Sequence, residues 1–149
     1  MIGISIDLVT PHKFLATASG EEVAVTKYTR SYTDFSIAGT GNAIVLASLP
    51  AKRALVGAII RPTVSFAGPG ITNVVIGLGY NSTTTNFASP YSVSQAIFDN
   101  TAQESMGAFY LGDFVASWPV YARATSTGGL LNTLTAGSVD IYLFTIDLP

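Results

Sequence analysis

The chain has 149 residues, of which 7 are Lys or Arg and 9 are Asp or Glu, so 11% are charged where an average soluble domain carries about 25%. Hydrophobic residues make up 48% and mean hydropathy is +0.44, which excludes an intrinsically disordered chain. The formal net charge of −2 and a pI near 5.1 argue against a nucleic-acid binder that works through a basic field.

With no Cys, neither a disulfide nor a thiolate site can staple the fold, and the length suits one domain over 1–149 with a core of its own. The first residues have no basic segment and meet Asp7, which predicts no secretory signal there. From Pro62 to Phe98 there is no charged side chain in 37 residues, but Pro62, Pro69, Pro90 and four glycines break the run, so it predicts no membrane helix. Neutral polar residues replace charge: 17 Thr and 14 Ser, with 6 Asn and 2 Gln, a choice that leans towards strands and turns.

Taken in order, Ile2, Ile4, Ile6 and Leu8 alternate with Gly3, Ser5 and Asp7, the period of a half-buried strand. Val23 to Thr29 predicts a second strand and Ala43 to Ala47 a third. In Ala54 to Phe66 the even positions, Ala54 through Val64 and Phe66, read as one continuous apolar face, with Pro62 marking an edge, a bulge or a break. Gly68-Pro69-Gly70 is a turn leading into a strand over Ile71 to Tyr80, where Gly77 and Gly79 predict a bulge or a close neighbour. Ser89-Pro90 has the form of an N-cap and first-turn proline, which predicts a short helix within Tyr91 to Phe98. Strands resume at Ala108 to Leu111 and Val120 to Thr125, and after Gly128-Gly129 a last strand runs over Ser138 to Leu148. It is apolar on both faces, with Val139, Ile141 and Leu143 on one and Tyr142, Phe144 and Ile146 on the other. Such a strand is buried on both, inside the domain or against another subunit. About eight strands and at most one short helix describe an all-β sandwich or barrel.

Residues fit for chemistry are few. His12 is the single histidine, in a turn, so a His-based zinc site cannot be built, and no G-x-S-x-G elbow offers a nucleophile. Glu21 and Glu22 would point to opposite faces of an extended segment, and Asp34, Asp99, Glu104 and Asp113 are scattered among turn residues. Asp99-Asn100-Thr101 with Glu104 lacks the spacing and glycine of an EF-hand loop. Gly68-Pro69-Gly70 and Gly77-Leu78-Gly79 lack a phosphate-loop fingerprint, and Lys27, Arg30, Lys52, Arg53, Arg61 and Arg123 form no stripe. The expectation is no catalytic residue, no metal and no cofactor. Aromatics remain as contact candidates: Tyr91, Tyr110, Trp118 and Tyr121 as platforms or anchors, with Trp118 favouring a core or subunit contact, and Tyr142 and Phe144 on the two-faced last strand.

Two stretches, Leu49 to Gly68 continuing through Ile71 to Gly79, and Leu131 to Ile141, resemble tailed-phage virion proteins. The shared pattern is a strand ending in Phe66 and Gly68, a strand ending in Gly79, and the turn Leu134-Thr135-Ala136-Gly137 into the terminal strand. The resemblance implies an all-β, antiparallel β-sandwich that is jelly-roll-like, serving as a head decoration (cement) protein or a fibre-type domain: a homotrimer in the virion, without enzyme activity or cofactor. Its partners would be itself and the major capsid protein or another virion protein, not nucleic acid or a membrane. A fibre domain would instead bind a host glycan or receptor, and a glycan-cleaving enzyme on a sandwich is the remaining reading.

Overall fold

The computed structural model describes residues 13–15, 22–79, 88–92, 103–105 and 116–148. The strands expected over 2–8 and 108–111, and the residue Tyr80, lie outside the described residues.

Nine strands are described: β1 (Lys13–Leu15), β2 (Glu22–Ser31), β3 (Gly41–Leu49), β4 (Arg53–Ala67), β5 (Asn73–Gly79), β6 (Ala88–Ser92), β7 (Gln103–Ser105), β8 (Trp118–Thr127) and β9 (Ala136–Asp147). Every ladder is antiparallel. One sheet has the order β1-β2-β9-β4-β7 and the other β3-β8-β5-β6. Numbered from β2, the two sheets run 1-8-3-6 and 2-7-4-5, which is the strand order of a jelly roll. Each sheet is built on a three-stranded ladder, β2-β9-β4 facing β3-β8-β5. The helical segments among the described residues are two single 3-10 turns, Tyr32–Phe35 and Leu131–Thr133.

Alternation along the central strands makes the core. Val139, Ile141 and Leu143 of β9 are buried in one cluster with Val120, Ala122 and Ala124 of β8, Val74, Ile76 and Leu78 of β5, and Ile60 and Phe66 of β4. Each fully buried Val, Leu or Ile contributes about 1.5–3 kcal/mol, so these rows carry the stability that no disulfide supplies.

Two local expectations are corrected. The even face of β4 is not continuous, because the register against β9 shifts between Leu55 and Gly57, between Pro62 and Val64, and again before Ala67. The extra residues turn Val64 outward, while Pro62 stays buried and Ala54 and Leu55 are both buried. Pro62 lies beyond the short stretch, Ala58–Ile60, where β7 pairs with β4, so its missing N–H breaks no bond to β7. Ser89-Pro90 does not open a helix: Ala88–Ser92 is β6, paired as Leu78↔Ala88, Ile76↔Tyr91 and Val75↔Ser92. Two residues, Ser89 and Pro90, thus stand opposite the single Gly77, and a bulge in an edge strand accepts a residue that cannot donate. The capping signal was local; the ladder overrode it. Residues 93–98 lie outside the described residues.

One end of the sandwich is locked by backbone. The connections after β2, β4 and β8 meet there. The N–H of Leu131 donates to Gly39 O (2.8 Å), Asn132 to Ile37 O (3.0 Å), Ser126 to Thr40 O (2.7 Å), Thr72 to Thr127 O (2.9 Å) and Thr135 to Ala67 O (2.9 Å). Gly68-Pro69-Gly70-Ile71 closes as a type II turn, with φ +76 at Gly70 and the Ile71 N–H on Gly68 O at 3.1 Å. A Cβ on Gly68 would collide with the Thr133 carbonyl, and at Gly137 (φ +143) it would stand 2.5 Å from the Phe66 ring. Phe66 cannot yield, being buried and packed edge-on against Phe35, centroids 6.3 Å apart.

At the opposite end the Arg53 guanidinium grips Asp147 with two hydrogen bonds (2.6 and 2.8 Å), and the Trp118 ring N–H donates to Arg53 O (3.2 Å). Arg53 holds the Asp147 carboxyl below its ordinary value of 3.8.

Gly137→Ala should cost about 2–4 kcal/mol, combining backbone strain with overpacking, in urea unfolding. Gly39→Ala, where the nearest atom is 3.9 Å away, should stay within about 0.5 kcal/mol; equal costs at both sites would refute the lock. Because its folded pKa is depressed, Asp147 adds stability above its unfolded pKa and loses it as pH falls through the folded one. It is 70% exposed, so wild type and Asp147→Asn should differ by less than about 1 kcal/mol at neutral pH, and the difference should shrink as pH falls below the ordinary carboxyl value of 3.8.

Candidate interaction surfaces

The residues considered for chemistry do not converge. His12, Glu21, Asp99, Asp113 and Tyr110 lie outside the described residues, and Glu104 is described only as a β7 backbone position opposite Ile59. Asp34 serves the turn Tyr32–Phe35 by accepting the Ser31 N–H at 2.7 Å. Among the described residues no group of three His, Cys, Asp or Glu could hold a metal ion. Nor is any described helix long and apolar enough to cross a membrane.

Three surfaces remain. The first is the outer face of β2-β9-β4. Register places Val25, Phe144 and Gly57 in one row, Lys27, Tyr142 and Ile59 in the next, and Thr29, Asp140 and Arg61 in a third. Val25, Ile59, Tyr142, Phe144 and Ile146 are all half-buried, so the last strand is apolar on both faces as expected, fully buried inward and partly covered outward. Asp140 is only 6% exposed on this outer face, and it is tolerated because Lys27 Nζ lies 2.8 Å away and Thr29 Oγ1 donates at 2.7 Å. The hydrogen bond to Asp140 raises the Lys27 pKa above 10.5, and the same ammonium stands 5.9 Å from the centre of the Tyr142 ring. The polar cluster therefore borders the apolar rows rather than interrupting them.

The second is the outer face of β3-β8-β5, with rows Val45-Tyr121-Gly79 and Ala43-Arg123-Gly77. Arg123 lies across Gly41, its guanidinium nitrogen 2.9 Å from where a Cβ would stand. The third is the locked end, where Ile37 is 44% and Leu130 42% exposed. Of the contact candidates, Tyr142 and Phe144 share the first face. Trp118, only 7% exposed, belongs to the core cluster of the subunit, and Tyr91 is described only as a β6 backbone position. Sequence reasoning passed over Ile37 and Leu130, since single apolar residues in turns carry no periodicity; the long intervals without charge around them were the available signal.

No family model and no curated protein matches the sequence. Among solved structures, the chain is similar to one in the cyanophage Pam1 capsid asymmetric unit, with a TM-score of 0.60 and 19% identity over 96% of this chain and 94% of that one. What the two share is the fold. The likeness runs nearly from end to end of both polypeptides, so the two are of similar size. A second likeness, to a family two carbohydrate esterase from Cellvibrio japonicus, has a TM-score of 0.25 and 11% identity over 84% of this chain and 34% of that one, too slight to carry an argument.

The Lys27–Asp140 pair gives a signed pH dependence. A raised lysine pKa contributes stability that is complete below the unfolded value of 10.5 and is lost as pH rises through the folded one. Lys27→Met should therefore flatten the alkaline fall of Tm relative to wild type, and parallel Tm–pH curves would show that the pair is not formed.

Proposed function

We propose that the protein is a non-enzymatic structural component of a phage virion, and more narrowly a head decoration (cement) protein that binds the outer capsid surface as a homotrimer and stabilises it. The observation that carries the reading is the nearly end-to-end likeness to a chain of a capsid asymmetric unit, with 96% and 94% of the two chains covered. Partners in this reading are its own copies and the major capsid protein or another virion protein, with no cofactor, nucleic acid or membrane.

Composition supports the same reading. Only 16 of 149 residues are charged, and the half-buried rows around Tyr142 and Phe144 form a largely apolar face, bordered by the paired Lys27 and Asp140 and by Arg61. That face suits contact between copies, where a stable interface buries about 1,200–2,000 Å² in total. A fibre-type domain that binds host glycans is the second reading. It rests on Tyr121 and Arg123, a half-buried aromatic and a half-buried cation that alternation places on one face of β8.

Light scattering of the purified chain should give the mass of a trimer, and Tyr142→Ala with Phe144→Ala should shift it towards monomer. The protein should co-sediment with undecorated expanded heads and raise their resistance to heat. A monomer at micromolar concentration that leaves heads unbound would refute the decoration role. Loss of host-cell adsorption in Tyr121→Ala, with head binding absent, would favour the fibre reading.

A further inference from the structure

Each sheet of the sandwich ends in two edge strands, and an edge presents a row of backbone N–H and C=O groups that no neighbour takes up. The edges among the described strands are β1 and β7 of the first sheet and β3 and β6 of the second. Three of them are blunted. β1 and β7 have 3 residues each, and β6 has 5, with Pro90 inside its bulge. β3 is the exception: it runs for 9 residues, Gly41–Leu49, with no charged residue and no proline. Its ladder is to β8 on one side, and among the described residues no backbone group of β3 bonds to anything on the other. A long, uncharged edge is a ready template for a further strand. Val45, at its middle, is 53% exposed.

The side chains of β3 suit a second copy of the same strand. Two antiparallel copies related by a two-fold at Val45 would oppose Val45 to Val45, Ile44 to Leu46, Ala43 to Ala47 and Asn42 to Ser48. That sets apolar against apolar, small against small and polar against polar, with no like charges opposed. The bulge at Leu46 turns Ala47 towards the core, so matching face for face is confined to residues 44–46, with Val45 outward and Ile44 and Leu46 inward. The outer pairs match in size and polarity alone. The nearest cation, the Arg123 guanidinium, lies against Gly41 at the end of the strand, whereas Val45 stands opposite Tyr121. At that same end Asn42 Nδ2 donates to Phe35 O at 3.3 Å, which fixes the strand before any partner arrives.

We propose that β3 is a contact between copies: it pairs edge to edge and antiparallel with β3 of a second copy, joining their second sheets into one across a two-fold axis at Val45. The contact lies apart from the face around Tyr142 and Phe144, and it does not depend on the decoration reading. Backbone hydrogen bonds supply the attraction, and the side chains set the register. Size sets its strength. A strand of 9 residues is about 30 Å long, and an edge about 10 Å deep covers roughly 300 Å² of each copy, well below the roughly 800 Å² that each partner gives to a standard interface. A single β3 pair is therefore weak, and it holds firmly only where copies are already gathered at high local concentration.

The test uses single cysteines in the full chain, which has none of its own, with Tm measured on each variant. Opposed residues of an antiparallel pair have Cα atoms about 4.5–5.5 Å apart, within the span of a disulfide. With a thiol oxidant added, Val45→Cys should become a covalent dimer at least about 10-fold faster than Ser48→Cys or Val64→Cys. Ser48 is exposed but three residues from the axis, hence about 20 Å from its own copy, and Val64 is 50% exposed on the other sheet. Hydrogen exchange on the wild type needs no substitution: the amides of Gly41–Leu49 that point away from β8 should exchange fast in dilute solution and gain protection as the protein is concentrated. Equal dimerisation rates for the three variants overturn the two-fold pairing. Exchange at those amides that does not change with concentration overturns it too, and if it is slow throughout, the edge is covered within one chain. Neither readout involves heads, so either failure leaves the decoration reading standing.

Discussion

No side chain can stand where Gly137 meets Phe66, and much of the molecule depends on that vacancy. The Phe66 ring approaches Gly137 into the space a Cβ would take, at the end of β4 where Ala67 pairs with Ala136 of β9. That approach lets Thr135 N–H reach Ala67 O, brings the Thr133 carbonyl against Gly68, and seats Leu131 and Leu134 in the core. Gly128, at φ +88 against Gly70 O, repeats the arrangement between the same two connections, those after β4 and β8. A jelly roll crosses repeatedly between its sheets, and each crossing leaves backbone donors and acceptors that need partners. Here the crossings satisfy one another.

This explains how a chain so poor in charge can hold surface loops without side-chain networks. Loops ordinarily remain solvated and mobile because their polar backbone needs water. When three connections exchange hydrogen bonds, the polar groups are consumed within the end itself, and what is left to face outward includes Ile37 and Leu130. Rigidity and apolar exposure thus follow from one cause. The opposite end is built differently, from the Arg53–Asp147 grip and the indole bond of Trp118, and it keeps its charge.

Period-2 alternation made the central strands legible, because a sheet buried on one face forces it. β2, β3, β5, β8 and β9 fall where Val23, Ala43, Val74, Val120 and Val139 predict them. The failures share one physical origin, the bulge. Val64 faces out and Ser89-Pro90 sits in a strand because in both places two residues oppose one, and a period-2 argument cannot count an inserted residue. The turn motifs around Phe66, Gly68 and Leu134-Thr135-Ala136-Gly137 were visible as a resemblance, but their reason, a ring and a carbonyl occupying the place of two Cβ atoms, requires the packing. The same holds for the surfaces. Tyr142 and Phe144 could be placed on a shared face by alternation alone, whereas Ile37 and Leu130 become neighbours only through bonds between segments more than ninety residues apart.

Two of the acids are spent on geometry. Asp140 is held by Lys27 and Thr29 on the outer face of β9, and Asp147 ties the end of that strand to the start of β4, so each of these acids pins the middle strand of the first sheet. Neither leaves a net field for a partner to read. Recognition by such a surface must therefore rely on shape and apolar area, which give little affinity per small contact and reward repetition of the contact in a symmetric assembly. With so few charges, little electrostatic repulsion is left to keep neighbouring molecules of this composition apart.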